Sequence, residues 1–416
     1  MRRLLAVALL GCSWAAPPAS AATVSVVDGG IATYVAAPGE ANRLTIDAVP
    51  IPRTTTFRDA GAAIAAGAGC TARPDGSVAC TNGSGFAPLA DVDLGDGDDV
   101  VAVHGGSVHA LLGAGADRAS ADAGSLQVEG GPGPDAMSAA PGSDVTVYYF
   151  DHVVGVRVTL DGRANDGAPG EGDDVGRGVR RVDATNHDDV LDARAASGRV
   201  DLSGNAGDDR LFASPTGGGL LYGGTGGDVL HGGRARDTLY GAEGGDVLDG
   251  RGGADALDGG TGRNVVIGGP GRDLIHVTDD RDVIRARDHT RDHIGCDLLP
   301  SRLEVDPTDS LFMCAFPVDA EVDPPRLLAH RRLRLLLSCP RQAPGGCRGI
   351  VRLTDPSPRP LARIRFAIAA GRRAHVTAHL DHLPRAGFVT AIVYAHRARP
   401  PKATRVTVAT LRLEQP

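Results

Sequence analysis

The chain has 416 residues, of which 58 are Gly and only 4% are aromatic, with a formal net charge of −8. So few large side chains exclude a conventional globular core at this length and leave either disorder or a repeat fold that stacks small layers. The charge is divided: from Arg326 onward there are 18 Lys and Arg against three acids, about +15, and the preceding residues sum to about −23.

Residues 1–21 read as an export signal. Arg2 and Arg3 give a positive start, Leu4 to Leu10 is a short apolar run, and Ala19-Ser20-Ala21 is a small-residue cleavage site. Leu9-Leu10-Gly11-Cys12 offers the competing outcome, a lipidated Cys12. No later stretch stays apolar over the length that a bilayer crossing requires, so no transmembrane span is expected. The expected location is outside the cell, released or lipid-anchored.

Residues 22–90 contain short alternating runs, Val24 to Val27 and Arg43 to Ile46, that read as strands of an N-terminal β cap. Cleavage at Ala21 removes Cys12 and leaves six cysteines in three close pairs. Export favours disulfides, with nearest neighbours joined: Cys70 to Cys80 across the Pro74-Asp75-Gly76 turn, Cys296 to Cys314, and Cys339 to Cys347 across Pro344-Gly345-Gly346. Zinc is the alternative, though no C-x-x-C occurs.

Residues 91–199 carry a worn pattern. Asp99, Asp117 and Asp135 each end a G-x-D and recur at a constant interval, while the registers midway between them, at Val108 and Leu126, lack Asp. This predicts a degenerate β-solenoid with at most one metal-binding edge. The Gly/Asp-rich loop Asp161 to Asp174 matches no EF-hand spacing and reads as a solvated excursion.

The decisive feature lies in residues 200–285. From Gly223 the chain reads GGTGGDVLH, GGRARDTLY, GAEGGDVLD, GRGGADALD, GGTGRNVVI and GGPGRDLIH, six contiguous nine-residue units. The interval in residues 91–199 is two such units. The first position is always glycine: Gly223, Gly232, Gly241, Gly250, Gly259 and Gly268. The sixth is Asp228, Asp237, Asp246, Asp255, Asn264 and Asp273, and the eighth is always aliphatic. Weaker units place Asp209 before these, Gly219 in an Asp position, and Asp282 after them without its glycines. Six positions make a turn and three a short strand. Glycine serves where φ is positive or where stacked turns crowd a Cβ. The eighth residue of one unit cannot bury itself, so only a stack has a core.

These units closely resemble the hemolysin-type (RTX) calcium-binding repeat, GGxGxDxUx. The resemblance implies a parallel β-roll with half a coil per unit, so that every second turn shares an edge. It places Asp228, Asp246, Asn264 and Asp282 on one edge and Asp237, Asp255 and Asp273 on the other. It also implies Ca²⁺ between successive turns, held by Asp carboxylates and turn carbonyls, an oxygen-only set suited to a hard cation. The expected best steps are Asp228/Asp246, Asp237/Asp255 and Asp255/Asp273. Segment 22–90, with its Cys70…Cys80 hairpin, is similar to the N-terminal region of actinobacterial exported calcium-binding proteins.

Residues 286–325 read as a cap and linker, and 326–416 as a basic, β-sandwich-like domain. Leu383-Pro384-Arg385-Ala386-Gly387 resembles a sorting motif, but the apolar run from Phe388 to Ala395 is too short for a membrane stop and reads as a strand. No H-E-x-x-H, G-x-S-x-G or P-loop is present. The overall expectation is an all-β, exported, calcium-binding protein that folds on binding Ca²⁺ and reads no specific nucleic acid. An adhesin gripping a cell-wall or other polyanionic polymer through the basic domain stands beside it, as does an enzyme acting along the solenoid face.

Overall fold

The computed structural model describes residues 21–27, 30–50, 53–81, 89–279, 281–297, 302–305 and 309–312, and strands with their immediate flanks between 320 and 412. The export signal with Cys12, the cysteines Cys314 and Cys339, and residues 383–387 lie outside the described residues. Apart from a 3-10 turn at Ala193–Ala195, the described elements are strands. No helix among them is long and apolar enough to cross a membrane. The chain divides into two compact units, residues 1–152 with 160–181, and residues 153–159 with 182–416.

The first unit begins with antiparallel hairpins. Ala22–Val27 pairs with Ile31–Val35, Arg43–Pro50 with Arg53–Asp59, and Cys70–Ala72 with Val78–Thr81. Cys70 and Cys80 face each other across the last pair and form a disulfide. Tyr34, Ile46 and Phe57 are buried beneath these strands. Two of the hairpin strands then act as templates. Ile31–Val35 pairs in parallel with Leu89–Asp93, and Arg43–Pro50 with Val100–Leu111.

From there the unit is a parallel stack. Val101 lies over Ala119 and Val108 over Leu126, so that one coil takes up two repeat lengths of chain. Each coil has two different corners. One is a Gly/Asp turn ending at Asp99, Asp117 or Asp135. In the first coil the other is the Gly105-Gly106 bend inside a 12-residue strand, with φ of 131° and 75°. The missing Asp at Val108 and Leu126 thus has a backbone cause: these residues follow a bend, not a turn. The Asp161 to Asp174 loop is solvated over Gly162 to Asn165 and at Pro169 and Gly170, but it is anchored at two points. Asp166 and Asp173 are buried and bridge each other, and Asp174 donates its N–H to the carbonyl of Asp135.

In the second unit both corners are Gly/Asp turns. Alternate repeats fall into two parallel sheets. One aligns Leu191, Leu211, Leu230, Leu248, Val266, Ile284 and Leu303 in successive pairings. The other aligns Leu221, Leu239, Leu257, Ile275, Ile294 and Leu311. Residues 230, 239, 248, 257, 266, 275, 284 and 294 are all essentially inaccessible and form the dry interior between the sheets. The stack passes the last clear repeat: His293–Cys296 and Ser310–Phe312 extend one sheet, and Arg302–Val305 the other. Cys296 is disulfide-bonded.

Beyond residue 320 the pairing turns antiparallel. Ala320–Glu321, Leu327–Leu328, Arg332–Ser338 and Arg373–His379 make one four-stranded sheet. Pro360–Ile368, Cys347–Thr354, Phe388–His396 and Thr404–Arg412 make another. The Pro360–Ile368 strand escapes the sequence reading. From Ala362 onward it alternates, with Phe366 and Ile368 buried and Ile364 half-buried on one face and Arg363, Arg365 and Ala367 exposed on the other.

Candidate metal centre

The sixth-position residues form ladders along the corners of the coils. On one edge of the second unit, each backbone N–H donates to the Oδ1 of the next residue in the order Asp189, Asp209, Asp228, Asp246, Asn264 and Asp282, at 2.8–3.0 Å. On the other edge the order is Asp237, Asp255, Asp273, Asp292 and Asp309, at 2.8–3.1 Å. The turns expected to share an edge do share it. A third ladder runs through the first unit: Asn42, Asp99, Asp117, Asp135 and Asp173, at 2.6–2.9 Å. All of these side chains are buried.

Glycine builds the turn in two ways. At position four, φ is positive, as at Gly244 (148°), and a Cβ there would overlap the carbonyl oxygen of Gly226 in the coil below. At position one a Cβ would meet the carboxylate and, at Gly232 and Gly250, first the carbonyl oxygen of Gly250 or Gly268 in the next coil, at 2.5 and 2.6 Å. A Cβ on Gly241, Gly250 or Gly268 would come within 2.5–2.8 Å of the Oδ2 of Asp246, Asp255 or Asp273, and one on Gly223 would overlap that of Asp228. A Cβ on Gly232 would stand 3.0 Å from Asp237 Oδ2, and Gly259 faces the Asn264 side chain. The first glycine therefore makes the seat in which the Asp lies.

The ladder accounts for one carboxylate oxygen and leaves the other. Oδ2 of Asp209, Asp228, Asp246, Asp255, Asp273 and Asp292 is buried and accepts no hydrogen bond, and the same holds for Oδ2 of Asp99, Asp117 and Asp135. A buried, ionised oxygen without a donor is costly, on the order of 1–3 kcal/mol or more. Burial, followed by neighbouring carboxylates, raises these groups: Asp246 and Asp273 to about 6, Asp255 and Asp292 to about 7, and Asp209 to about 8. In the first unit Asp99 and Asp117 rise to about 6 and Asp135 to about 8, for the same reasons. Rows of like charges sharing dry turns need protons or a cation. Oxygen donors alone, two carboxylates to a step, fit a hard cation such as Ca²⁺.

The ends of the ladders are different. Asp189 takes the Thr185 N–H and hydroxyl as well as the Val156 N–H. Asp173 takes the Tyr149 hydroxyl, and Asp282 takes the Asp279 N–H. Asn42, heading the first-unit ladder, is neutral and donates to Tyr34 and Asp59. Protein donors thus satisfy the terminal members Asp173, Asp189 and Asp282, while the interior Asp members keep an oxygen without a donor. Asp237 is an intermediate case. Its repeat has Ala235 instead of glycine at position four. Asp237 Oδ2 accepts the Gly233 N–H at 2.6 Å, and its Oδ1 is the oxygen left without a donor. Asn264 keeps its rung, with Oδ1 accepting from Asp246, but contributes no charge.

The sequence reading missed Asp189, Asp292 and Asp309 as rungs. Each is followed at the second residue by an aliphatic, Leu191, Ile294 or Leu311. Their spacings of 20, 19 and 17 residues from the neighbouring rung break the even period. The surviving signal is D-x-[LI] without glycines.

A family model described as the RTX calcium-binding nonapeptide repeat (4 copies) matches residues 222–257 and 249–284. These spans cover the clear repeats and stop before Asp292. No curated protein matches the chain significantly.

Proposed function

Residues 222–284 being RTX calcium-binding repeats, we propose that this is an exported protein whose stacked Asp turns close around Ca²⁺, so that metal binding and folding of the roll are one event. The observation that carries the reading is the row of buried carboxylate oxygens with no donor, Oδ2 on the interior Asp rungs of each ladder other than Asn264 and Oδ1 on the terminal Asp237. Among the described residues, four steps of the second unit join two carboxylates with a donorless Oδ2: Asp209/Asp228, Asp228/Asp246, Asp255/Asp273 and Asp273/Asp292. Bound Ca²⁺ would neutralise the facing charges. The chain's own part is to hold the carboxylates by the N–H ladder and to bring turn carbonyls close through glycine.

Magnitudes support the coupling. With a Kd of about 10⁻⁴ M, a step filled at about 1 mM Ca²⁺ contributes about 1.4 kcal/mol. Four steps give about 6 kcal/mol, comparable to the whole stability of a typical domain, about 5–15 kcal/mol. Where free Ca²⁺ is scarce the repeats stay loose, and at extracellular Ca²⁺ they close. Export rests on the Arg2 to Ala21 signal and the paired cysteines.

The test is a Ca²⁺ titration of the exported chain followed by far-UV circular dichroism, with Mg²⁺ as control. A cooperative gain of β-structure with Ca²⁺ alone is expected. The same spectrum in excess chelator would leave a metal-free scaffold. A second reading, an adhesin, is favoured by the charge of about +15 from Arg326 onward and by the exposed Arg363 and Arg365 on one strand. Salt-sensitive retention on a polyanionic cell-wall polymer, lost when residues 326–416 are removed, would support it.

A further inference from the structure

We propose that Asp273, Asp288 and Asp292 form a three-carboxylate Ca²⁺ site at the C-terminal end of the roll, tighter than the two-carboxylate steps before it. The proposal rests on the calcium reading of the ladders and extends it to a residue outside their register.

The three residues each place one carboxylate oxygen so that all three atoms lie within 4.8 Å of one another, the one such acidic trio among the described residues. Asp273 and Asp292 are buried, and each has an Oδ2 that accepts no hydrogen bond. Asp288 is the addition. Its Oδ1 accepts the Thr290 N–H at 2.8 Å and the Thr290 hydroxyl at 2.6 Å, which fixes the carboxylate next to the rung pair.

The sequence explains why the site differs from the others. Arg287 to Gly295 is a worn unit with Asp292 at position six and Ile294 at position eight. Position two, glycine in many of the clear repeats, is Asp288 here. The following residue, His289, takes the left-handed turn with φ of 73°. Where the repeat loses its glycines, it gains a third carboxylate.

Charge count then sets the ranking. Calcium affinity in protein sites follows the number of carboxylate ligands and the rigidity of the site. Three carboxylates this close repel one another strongly in a dry setting and gain most from a divalent ion. The field of Asp288 adds to burial in raising both Asp273 and Asp292. The site lies where His293–Cys296 joins Leu274–Val277, so its filling fastens the last strands onto the roll. It should fill first and seed closure from the C-terminal end.

The experiment is isothermal titration of the full exported chain with Ca²⁺, comparing wild type, Asp288→Asn and Asp297→Asn. Asp297 is an exposed acid next to the same strand and serves as a charge control. Asn at 288 keeps the oxygen that receives Thr290, so the turn is retained. Wild type should show one ion bound about tenfold more tightly than the rest. Asp288→Asn should lose that step and keep the weaker ones, and Asp297→Asn should match wild type. In saturating Ca²⁺, Asp288→Asn should reach the same far-UV β-signal as wild type, which separates a lost ligand from a lost fold. Unchanged binding by Asp288→Asn, or an equal loss in Asp297→Asn, would overturn the site. A wild type that takes up no Ca²⁺ would instead overturn the calcium reading as a whole.

Discussion

The two stacked regions use similar coil lengths and differ at one corner. In the first unit a coil turns once through Gly/Asp and once through a bend such as Gly105-Gly106, within 12-residue strands. In the roll both corners are Gly/Asp turns, and one of its two sheets is built of strands of two to four residues, as at Val229–His231 and Val247–Asp249. Shorter strands mean fewer ladder hydrogen bonds and less apolar area per coil. More turns mean more buried carboxylates. The first unit therefore draws its stability chiefly from pairing and packing, and the roll from whatever neutralises its edges. Dependence on a cation should follow the number of Asp corners per coil, not the presence of an Asp ladder as such.

The largest expected effect comes from crowding a stacked turn. A Cβ at Gly244 would overlap the Gly226 carbonyl, and φ there is positive as well. At Gly95, which also has positive φ, a Cβ meets nothing within 4 Å. Gly244→Ala should cost about 3 kcal/mol or more and abolish cooperative calcium-induced folding. Gly95→Ala should cost only about 1 kcal/mol, the conformational term alone. Calcium titrations with thermal melts of both variants would check this. Equal costs would mean that the turns part easily and that the stack is not held at its corners.

Much of this architecture is written in the chain as period. Residues with an unbroken nine-residue repeat, Gly223 to His276, disclose their sheet, edge and interior face, because an even period puts each residue in the place of its counterpart two units away. The ladder past those residues is less legible. Asp189, Asp292 and Asp309 keep the rung while insertions and deletions shift the spacing, and hydrogen bonding to the next Asp requires no particular loop length. Asp288 is invisible to any repeat pattern, since it replaces a glycine the pattern expects. The burial of Asp166 and Asp173 is hidden for another reason: a loop rich in Gly and Asp reads as solvent-exposed unless its burial partners, here Tyr149 and Asp135 for Asp173, are known. The Pro360–Ile368 strand is masked by its opening proline and its arginines, which a strand with one solvent face accommodates.

Proton binding sharpens the comparison further. The interior Asp groups are raised in the folded chain, to about 6 for Asp246, 7 for Asp255 and 8 for Asp209, above their ordinary value near 3.8. A carboxyl group raised on folding binds its proton more tightly in the native state. It therefore destabilises the fold above its native pKa, and that penalty is relieved as pH falls from about 8 toward 4. In chelator, the roll should gain stability on acidification from about pH 8 to about pH 5. In saturating Ca²⁺ the trend should reverse, because protons compete for the same oxygens. Asp246→Asn should reduce both slopes, since Asn264 already shows that an amide holds the rung. Thermal melts across pH in both conditions would decide it, and a chelator curve that falls on acidification would break the argument.

The smallest effect concerns position two of the turn. In the first unit that position is Gly95, Gly113 and Gly131, all with positive φ. The roll is less strict: Asn205, Ala242 and Arg251 stand there with φ of 71°, 75° and 61°. Asn tolerates the left-handed region, whereas Ala and Arg are strained in it. The roll thus carries two residues held in an unfavourable conformation by the turns around them. Ala242→Gly should relieve one, raising stability in saturating Ca²⁺ by about 1 kcal/mol despite the greater freedom of glycine in the unfolded chain. If Ala242→Gly melts at or below the wild-type temperature, the left-handed turn is stabilised locally in a way that offsets its strain, and the roll's looser sequence at this position carries no cost.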